Sequence, residues 1–170
     1  KLLTLFLLKN STYVTVCGNE SLDFLVSQNV PRHKIFVLPN SINVKNYCNL
    51  NLKKKFDLIS IGRLSFEKRI DTLIEIVNVL KKNKPNIKVA IGGNGPEKNE
   101  LLKKVKDLNL TKNIQFLGFV DDIEKFYNSG KVFVITSETE GLPRTALESF
   151  SCGTPVVFPK IGDMGDINSP

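Results

Sequence analysis

From Phe56 onward the chain alternates between short apolar runs rich in β-formers and longer stretches with helical periodicity. No other feature narrows the fold as much. Strands separated by helices pair most readily as parallel neighbours joined by crossovers. "FDLISIG" (56–62) reads as a buried strand ending in Gly62. "RIDTLIEIVNVLKK" sets Ile70, Leu73, Ile74, Ile76, Val77 and Leu80 at helical spacing. "IKVAIGG" is a second strand, and "PEKNELLKKVKDL" a second helix with Pro96 in its first turn. "NIQFLGF" is a third strand, "DDIEKFYNSG" a short helix ended by Gly130, and "KVFVITS" a fourth strand. "LPRTALESFSCG" is a helix closed by Gly153, and "TPVVFPK" a fifth strand. The expected fold is α/β, a doubly wound parallel sheet covered on both faces.

Before Phe56 the pattern differs. "STYVTVC" reads as a strand, "NESLDFLVSQNV" as a helix, and "HKIFVLPNSI" as another strand. The polar stretch Asn43 to Asn51 then suits a linker. Two parts are expected: residues 1–50, the tail of one α/β domain plus linker, and residues 51–170, a second domain incomplete at its C-terminus. The chain has no initiator Met and stops at "GDMGDINSP" without a closing helix, so it is expected to be part of a longer protein, truncated at both ends. The opening "KLLTLFLLK" is too short to span a bilayer and lacks a small-residue cleavage site.

The formal charge of +7 favours anionic partners such as nucleotides, phosphates, an acidic membrane surface or nucleic acid. The lysines are spread along helices (Lys81, Lys82, Lys84; Lys103, Lys104, Lys106), as on solvated helix faces. Interleaved aromatics and nucleic-acid motifs are missing, so no nucleic-acid partner is expected. Cys17, Cys48 and Cys152 have no CxxC spacing and read as free thiols of a reducing cytoplasm. The single histidine, His33, leaves no zinc cluster and no His-based triad.

Ligands of an open α/β sheet bind outside the carboxyl ends of the strands, where strand order reverses. With the common order 3-2-1-4-5, that crevice lies between the first and fourth strands from Phe56 on. The first ends in "GRLSFEK", with Arg63 and Lys68; the fourth ends in "SETEG", with Glu138 and Glu140. Arg63 offers a guanidinium fork and Lys68 a point charge to an anion. Gly141 and Leu142 would add backbone N–H groups at a helix N-terminus, with Pro143 in the first turn. Two cations beside such a helix end suit a diphosphate. Glu148, about two turns into the helix, can accept hydrogen bonds from a ribose, and Glu140 from a second hydroxylated ring.

A plainer reading stands beside this one. Acidic residues near a helix N-terminus are favourable by about 0.3–1 kcal/mol without any ligand. Arg63 and Lys68, taken singly, could be ordinary surface charges. "GGNGPE" has Lys98 where G-x-G-x-x-G needs its third glycine, so it is weak as a dinucleotide fingerprint.

Together, "GRLSFEK", "GGNGPE", "FLGFVDD" and "SETEGLPRTALESFSCGTPVV" resemble the donor-binding half of retaining GT-B glycosyltransferases of the glycogen-synthase-like group, the "glycosyl transferases group 1". The order matches over roughly Phe56 to Ile167, and "KIFVLPNSI" resembles the end of the same family's N-terminal Rossmann-like domain. Ser41 replaces a usual Gly, and Arg69 stands where the family commonly has Gly. Arg69 is expected to add charge beside the phosphate site.

The resemblance implies that Arg63, Lys68 and Glu140 form the catalytic set. Arg63 and Lys68 would hold the donor diphosphate, and Glu140 the sugar hydroxyls. Gly141 and Leu142 amides would lie near sugar and phosphate, Thr145 near the phosphates, and Glu148 on the ribose. Val120 and Asp122 would border the base, and Gly62 with the loop of Gly93, Asn94 and Gly95 would shape the nucleotide side. The implied reaction is sugar transfer from a UDP- or GDP-sugar to a glycan or lipid-linked acceptor, with retention, as in cell-envelope polysaccharide biosynthesis. No cofactor and no metal are expected, because Arg and Lys neutralise the leaving diphosphate. A nucleotide-sugar-binding module without turnover, or a related GT-B phosphorylase or epimerase, remains an alternative. The expected location is cytoplasmic, with peripheral contact at the inner membrane face open to the basic surface. By itself the chain is expected to catalyse little, because half the cleft is absent.

Overall fold

A computed structural model describes residues 2–163. The described residues fall into two compact units. One takes the chain up to Ser41, Thr139–Arg144 and the residues from Lys160 on; the other takes Ile42–Glu138 and Thr145–Pro159. The expectation that no helix closes the chain at residues 164–170, and the end of the family resemblance at Ile167, lie outside the described residues.

In the first unit, helix α1 (Leu2–Asn10) precedes strand β1 (Val14–Val16), helix α2 (Asn19–Ser27) and strand β2 (Ile35–Val37). β1 and β2 pair in parallel, with Val14 opposite Ile35. Val14, Leu22, Leu25, Val30 and Ile35 form a small core. Asp163 accepts from the Ser21 backbone N–H at 3.1 Å and from Ser21 Oγ at 2.7 Å. Asn40 Nδ2 donates to the Leu142 carbonyl at 2.6 Å, tying the end of β2 to the 139–144 segment. Ser41 is not among the residues with positive φ, so its replacement of a glycine carries no backbone strain.

The second unit holds the alternating pattern. Strand β3 (Phe56–Ile61) is followed by helix α3 (Ile70–Leu80), strand β4 (Val89–Gly92), helix α4 (Lys98–Asp107) and strand β5 (Ile114–Gly118). Helix α5 (Ile123–Ser129), strand β6 (Gly130–Val134), helix α6 (Arg144–Ser151) and strand β7 (Val156–Val157) complete it. All pairings are parallel, in the order β5-β4-β3-β6-β7. Numbered from β3, that is the 3-2-1-4-5 order expected from the sequence.

Alternation along the strands divides the core. Leu58, Val89, Ile91, Ile114 and Val134 pack with Ile70, Leu73, Ile74 and Val77 of α3 and with Leu101 and Val105 of α4. Ile59, Ala90 and Phe133, one position out of phase, are buried too. Phe133 meets Tyr127 of α5 edge-on at 5.4 Å. Both faces are therefore covered, as parallel sheets require.

Two element ends differ from the sequence reading by one or two residues. Pro96 and Glu97 form a turn ahead of α4, and α6 begins at Arg144, so neither Pro96 nor Pro143 stands inside a first helical turn. Gly141 and Leu142 accordingly precede α6, and Glu148 lies just over one turn into it. The Asn43–Asn51 stretch is hydrogen-bonded to the helices beside it. The Cys48 N–H donates to Glu124 Oε1 at 2.8 Å, the Leu50 N–H to Asn128 Oδ1 at 2.8 Å, and Ser151 Oγ to the Tyr47 carbonyl at 2.6 Å.

At the amino ends of the strands, Asp57 Oδ1 accepts from Lys84 Nζ at 2.6 Å and Lys131 Nζ at 2.8 Å, while Oδ2 accepts from the Lys88 N–H at 3.0 Å. Burial alone would raise this carboxyl, but those bonds outweigh it and hold Asp57 well below the usual carboxylate range. A depressed folded pKa stabilises the fold above the unfolded value and loses that contribution as pH falls through the folded one. Urea unfolding midpoints should therefore drop as pH is lowered from about 5 to about 2, and Asp57→Asn should flatten part of that slope. An unchanged slope in Asp57→Asn would remove this carboxylate from the account.

Gly93 has φ +113, and a Cβ there would stand 1.8 Å from the Gly62 carbonyl oxygen; one at Gly95 would stand 2.2 Å from the Leu64 oxygen. Backbone cannot give way as a side-chain tip can, so Gly95→Ala should cost roughly 2–3 kcal/mol in urea titrations. Gly62→Ala, with nothing within 4 Å of the added carbon, should stay within about 0.5 kcal/mol of the parent. Equal losses at both positions would contradict the close approach.

Candidate functional site

At the carboxyl end of β3 the chain turns over its neighbours. The Gly62 N–H donates to the Gly92 carbonyl at 3.2 Å and the Leu64 N–H to the Asn94 carbonyl at 3.0 Å. Arg63, between them, is exposed. A 3-10 turn, Phe66–Lys68, follows, and the Lys68 N–H closes on the Ser65 carbonyl at 2.9 Å. The segment leaving β6 meets this turn. Thr136 Oγ1 donates to the Lys68 carbonyl at 2.9 Å, and the Glu138 N–H to the Glu67 carbonyl at 2.8 Å. The two strand ends on either side of the order reversal are thus joined by one backbone and one side-chain hydrogen bond, with Arg63 and half-buried Lys68 beside them.

Arg69 changes meaning in this setting. It sits in the left-handed region, φ 48 and ψ 43, where glycine is the easiest fit. Its guanidinium grips Asp71, with Nε to Oδ1 at 3.1 Å and NH2 to Oδ2 at 3.2 Å. A third approach places NH1 3.8 Å from Glu138 Oε1. The bond from Arg69 holds the Asp71 carboxyl below its ordinary value. The extra cation is therefore paired with carboxylates beside it in the fold.

The loop of Gly93, Asn94 and Gly95 lies against this turn. The Gly93 N–H donates to the Gly118 carbonyl at 2.6 Å, and the Glu97 N–H to the Leu64 carbonyl at 3.0 Å. Asn94 Oδ1 accepts from Lys98 Nζ at 2.9 Å. Val120 packs beside Gly92, its Cγ2 2.9 Å from where a Cβ would stand. Asp122 caps α5, accepting from the Lys125 N–H at 3.0 Å and pairing with Lys125 Nζ at 2.6 Å. Those bonds lower its carboxyl from the ordinary value.

Glu148 departs most from an open hydroxyl acceptor. It is 9% exposed, and each oxygen already accepts from a phenol: Oε1 from Tyr47 at 3.1 Å, Oε2 from Tyr127 at 2.9 Å. Burial first, and the carboxylate second, push the Tyr127 phenol far above its usual range, so it stays a donor. The tyrosines carry no motif; the only signal was the phase of Tyr127, buried between Phe126 and Asn128 on α5. Thr145 lies three residues before Glu148 on the same helix, half-buried.

Glu140, Gly141 and Leu142 belong to the first unit. There Gly162, at φ +51, runs so close to the Glu140 carbonyl that a Cβ would stand 1.7 Å from its oxygen. Leu142 is buried, Glu140 half-buried and Gly141 exposed. The three cysteines are free, and burial pushes the Cys152 thiol up to about 11. Among the described residues no acidic, His or Cys cluster could hold a metal ion, and no helix is long and apolar enough to cross a membrane.

Residues 48–170 match the family "Glycosyl transferases group 1". The chain belongs to that family. This group 1 chain is 36% identical over 124 residues to an uncharacterized glycosyltransferase of Methanocaldococcus jannaschii, covering 73% of this chain and 30% of that protein. It spans about a third of the length of the curated relatives it matches (30%, 33% and 40% of the first three). Among solved structures it resembles S. aureus TarM, a point mutant of which was crystallised in complex with Fondaparinux, α-GlcNAc-glycerol and UDP. The TM-score is 0.88 at 25% identity, over 99% of this chain and 35% of that one. Anabaena HepE in complex with UDP-glucose shares the fold, with TM-score 0.87 at 21% identity over 99% of this chain and 50% of that one. The structural neighbours are GT-B glycosyltransferases, and the parallel sheet here is of that kind.

In this group 1 chain, Tyr127→Phe removes a donor from a buried carboxylate. It should lower stability by about 1–3 kcal/mol in urea titration. Wild-type stability in Tyr127→Phe would mean that the bond contributes nothing.

Proposed function

We propose that this chain supplies the donor-binding part of a glycosyltransferase. The whole protein would move a sugar from a nucleotide-diphosphate donor to a glycan or lipid-linked acceptor, with retention at the anomeric carbon. The observation that carries this reading is the reversal of strand order between β3 and β6, with Arg63 and Lys68 at the loop that follows β3. Sugar transfer breaks the bond between the anomeric carbon and the diphosphate oxygen, and forms one to an acceptor oxygen that loses its proton. Negative charge grows on the departing diphosphate, and fixed cations lower the barrier by meeting it.

Arg63, with its planar fork, and Lys68, with its point charge, are proposed for the diphosphate. No metal is proposed for that task, and no other cofactor. Gly62, Gly93, Asn94 and Gly95 are proposed to present backbone to the nucleotide, with Val120 and Asp122 bordering the base. Asp122 would then act through its place at the start of α5, since its carboxylate is held by Lys125. Thr145 is proposed for the phosphates and Glu148 for the ribose. Tyr47 and Tyr127 each supply one donor to the Glu148 carboxylate, so each oxygen retains a lone pair for a ribose hydroxyl. Glu140, with the Gly141 and Leu142 amides, is assigned to the donor sugar on the motif alone.

UDP is the ligand of TarM and UDP-glucose that of HepE in their structures, which supports a uridine donor as the first to try. Cell-envelope polysaccharide biosynthesis is the proposed setting, and exposed Lys82, Lys103 and Lys106 suit peripheral contact with an anionic membrane at the cytoplasmic side. Titration calorimetry with UDP and GDP should give saturable heat. Arg63→Ala and Lys68→Ala should each weaken it about tenfold or more, the size of a lost charged hydrogen bond. No heat with either nucleotide, or unchanged affinity in both variants, would end the donor reading. Binding without sugar transfer by the full-length protein would point to a module without turnover.

A further inference from the structure

The opposite end of the same sheet carries a second concentration of positive charge. A cavity of about 640 Å³ opens at the amino ends of β3, β4 and β5, lined by Lys53, Lys54, Lys55, Lys88 and Lys112. Its floor includes Phe56, Val89 and Ile114, the first residues of those strands. Lys55 and Lys88 stand directly before β3 and β4, and Lys112 two residues before β5. Parallel pairing brings these starts side by side, so three separate stretches of sequence put their lysines around one hollow. No carboxylate is among the lining residues.

The charges are not cancelled from nearby. Asp57, at the second position of β3, is taken by Lys84 and Lys131 and by the Lys88 backbone N–H, none of them a cavity ammonium group. Lys54 Nζ donates to Thr154 Oγ1 at 3.2 Å. Among the described residues no ion pair engages Lys53, Lys55, Lys88 or Lys112. A second hollow of about 440 Å³ shares Lys88, Lys112 and Asn113 and adds Lys81, extending the basic surface. Asn113, at the junction, is held rigid by its two bonds from Nδ2 to the Pro85 and Ile87 carbonyls, each 2.9 Å.

We propose that this cavity is a binding site for a soluble, multiply charged phosphate ligand, separate from the donor site at the other end of the strands. Several ammonium groups within one concave space repel one another, and a polyanion relieves all of those repulsions at once. Lysines on flexible stems provide point charges without a fixed fork, which suits a chain of phosphates more than one carboxylate. The concavity favours a compact ligand over a bilayer surface, which cannot follow a hollow. Single-stranded nucleic acid is disfavoured because the one aromatic ring lining the cavity, Phe56, is half-buried in its floor, so successive bases find no stacking platform.

Titration of this chain with inorganic tripolyphosphate at low salt tests the site. Saturable binding is expected, weakening as NaCl is raised. The double variant Lys88→Glu/Lys112→Glu should weaken it about tenfold or more while leaving the circular dichroism spectrum and any UDP affinity unchanged, since both side chains are exposed. Arg63→Ala should leave tripolyphosphate binding as it was. Unaltered tripolyphosphate affinity in the double variant overturns the proposal, as does simple competition between tripolyphosphate and UDP. Failure to bind tripolyphosphate, with charge-dependent binding of phosphatidylglycerol vesicles or of an oligonucleotide instead, overturns it in favour of a membrane or nucleic-acid surface. Tripolyphosphate binding lost in the double variant, with no UDP binding at all, would support this site while the donor reading failed.

Discussion

The central position of β3 governs the rest of the second unit. It pairs with β4 on one side and β6 on the other, so the chain runs outward through β4 and β5 and then crosses back to start again at β6. Right-handed crossovers on both sides of such a strand send helices to opposite faces. The loops that leave β3 and β6 must then part from each other in one direction and still cover the strand ends. Here they do so with one backbone bond, Glu138 N–H to the Glu67 carbonyl, and one side-chain bond, Thr136 Oγ1 to the Lys68 carbonyl. The β4 loop is pulled against the same turn so tightly that Gly93 and Gly95 have no room for a side chain. A surface built from backbone at that spacing has little freedom to shift, because its N–H groups are already bonded to carbonyls of neighbouring loops.

Glu148 shows the opposite strategy, a charged side chain taken into the interior. A buried carboxylate without partners would be costly, and the two phenols remove that cost while holding the side chain in one orientation. Tyr47 arrives from the stretch ahead of β3, which is itself anchored to α5 through Cys48, Leu50 and Asn128 and to α6 through Ser151. The orientation of one carboxylate thus depends on three chain segments far apart in sequence. Such an arrangement resists small changes, and that is useful if the carboxylate must meet a ligand at a set angle.

Much of the second unit was legible in the sequence because period-2 and period-3.6 patterns are local. Ile70, Leu73, Ile74 and Val77 announced α3, and all four are buried. The strand order followed from the alternation and the habit of such sheets. What could not be read was set by contacts across the chain. The bonds from Tyr47 and Tyr127 to Glu148 span 101 and 21 residues. Pro96 and Pro143 suggested helix starts, yet both helices begin one or two residues later. A proline only permits a first turn and does not require one. Arg69 looked like added charge because sequence alone does not show that Asp71, two residues on, takes its guanidinium.

The lysines make the same point about charge. Read along the chain, they looked like solvated helix faces, and Lys81, Lys84 and Lys104 do bond within their neighbourhood. Lys55, Lys88 and Lys112 are more than twenty residues apart in sequence, and only the parallel register brings them to one hollow. The two ends of the sheet therefore handle positive charge differently. Where the strands end, one guanidinium and one ammonium stand on glycine-tight backbone, a setting that favours one geometry. Where the strands begin, flexible ammonium groups share one space without a carboxylate among them, a setting that favours total charge over shape. Net charge alone cannot distinguish these, because it counts both ends together. Their separation along the strands keeps the two concentrations of positive charge apart.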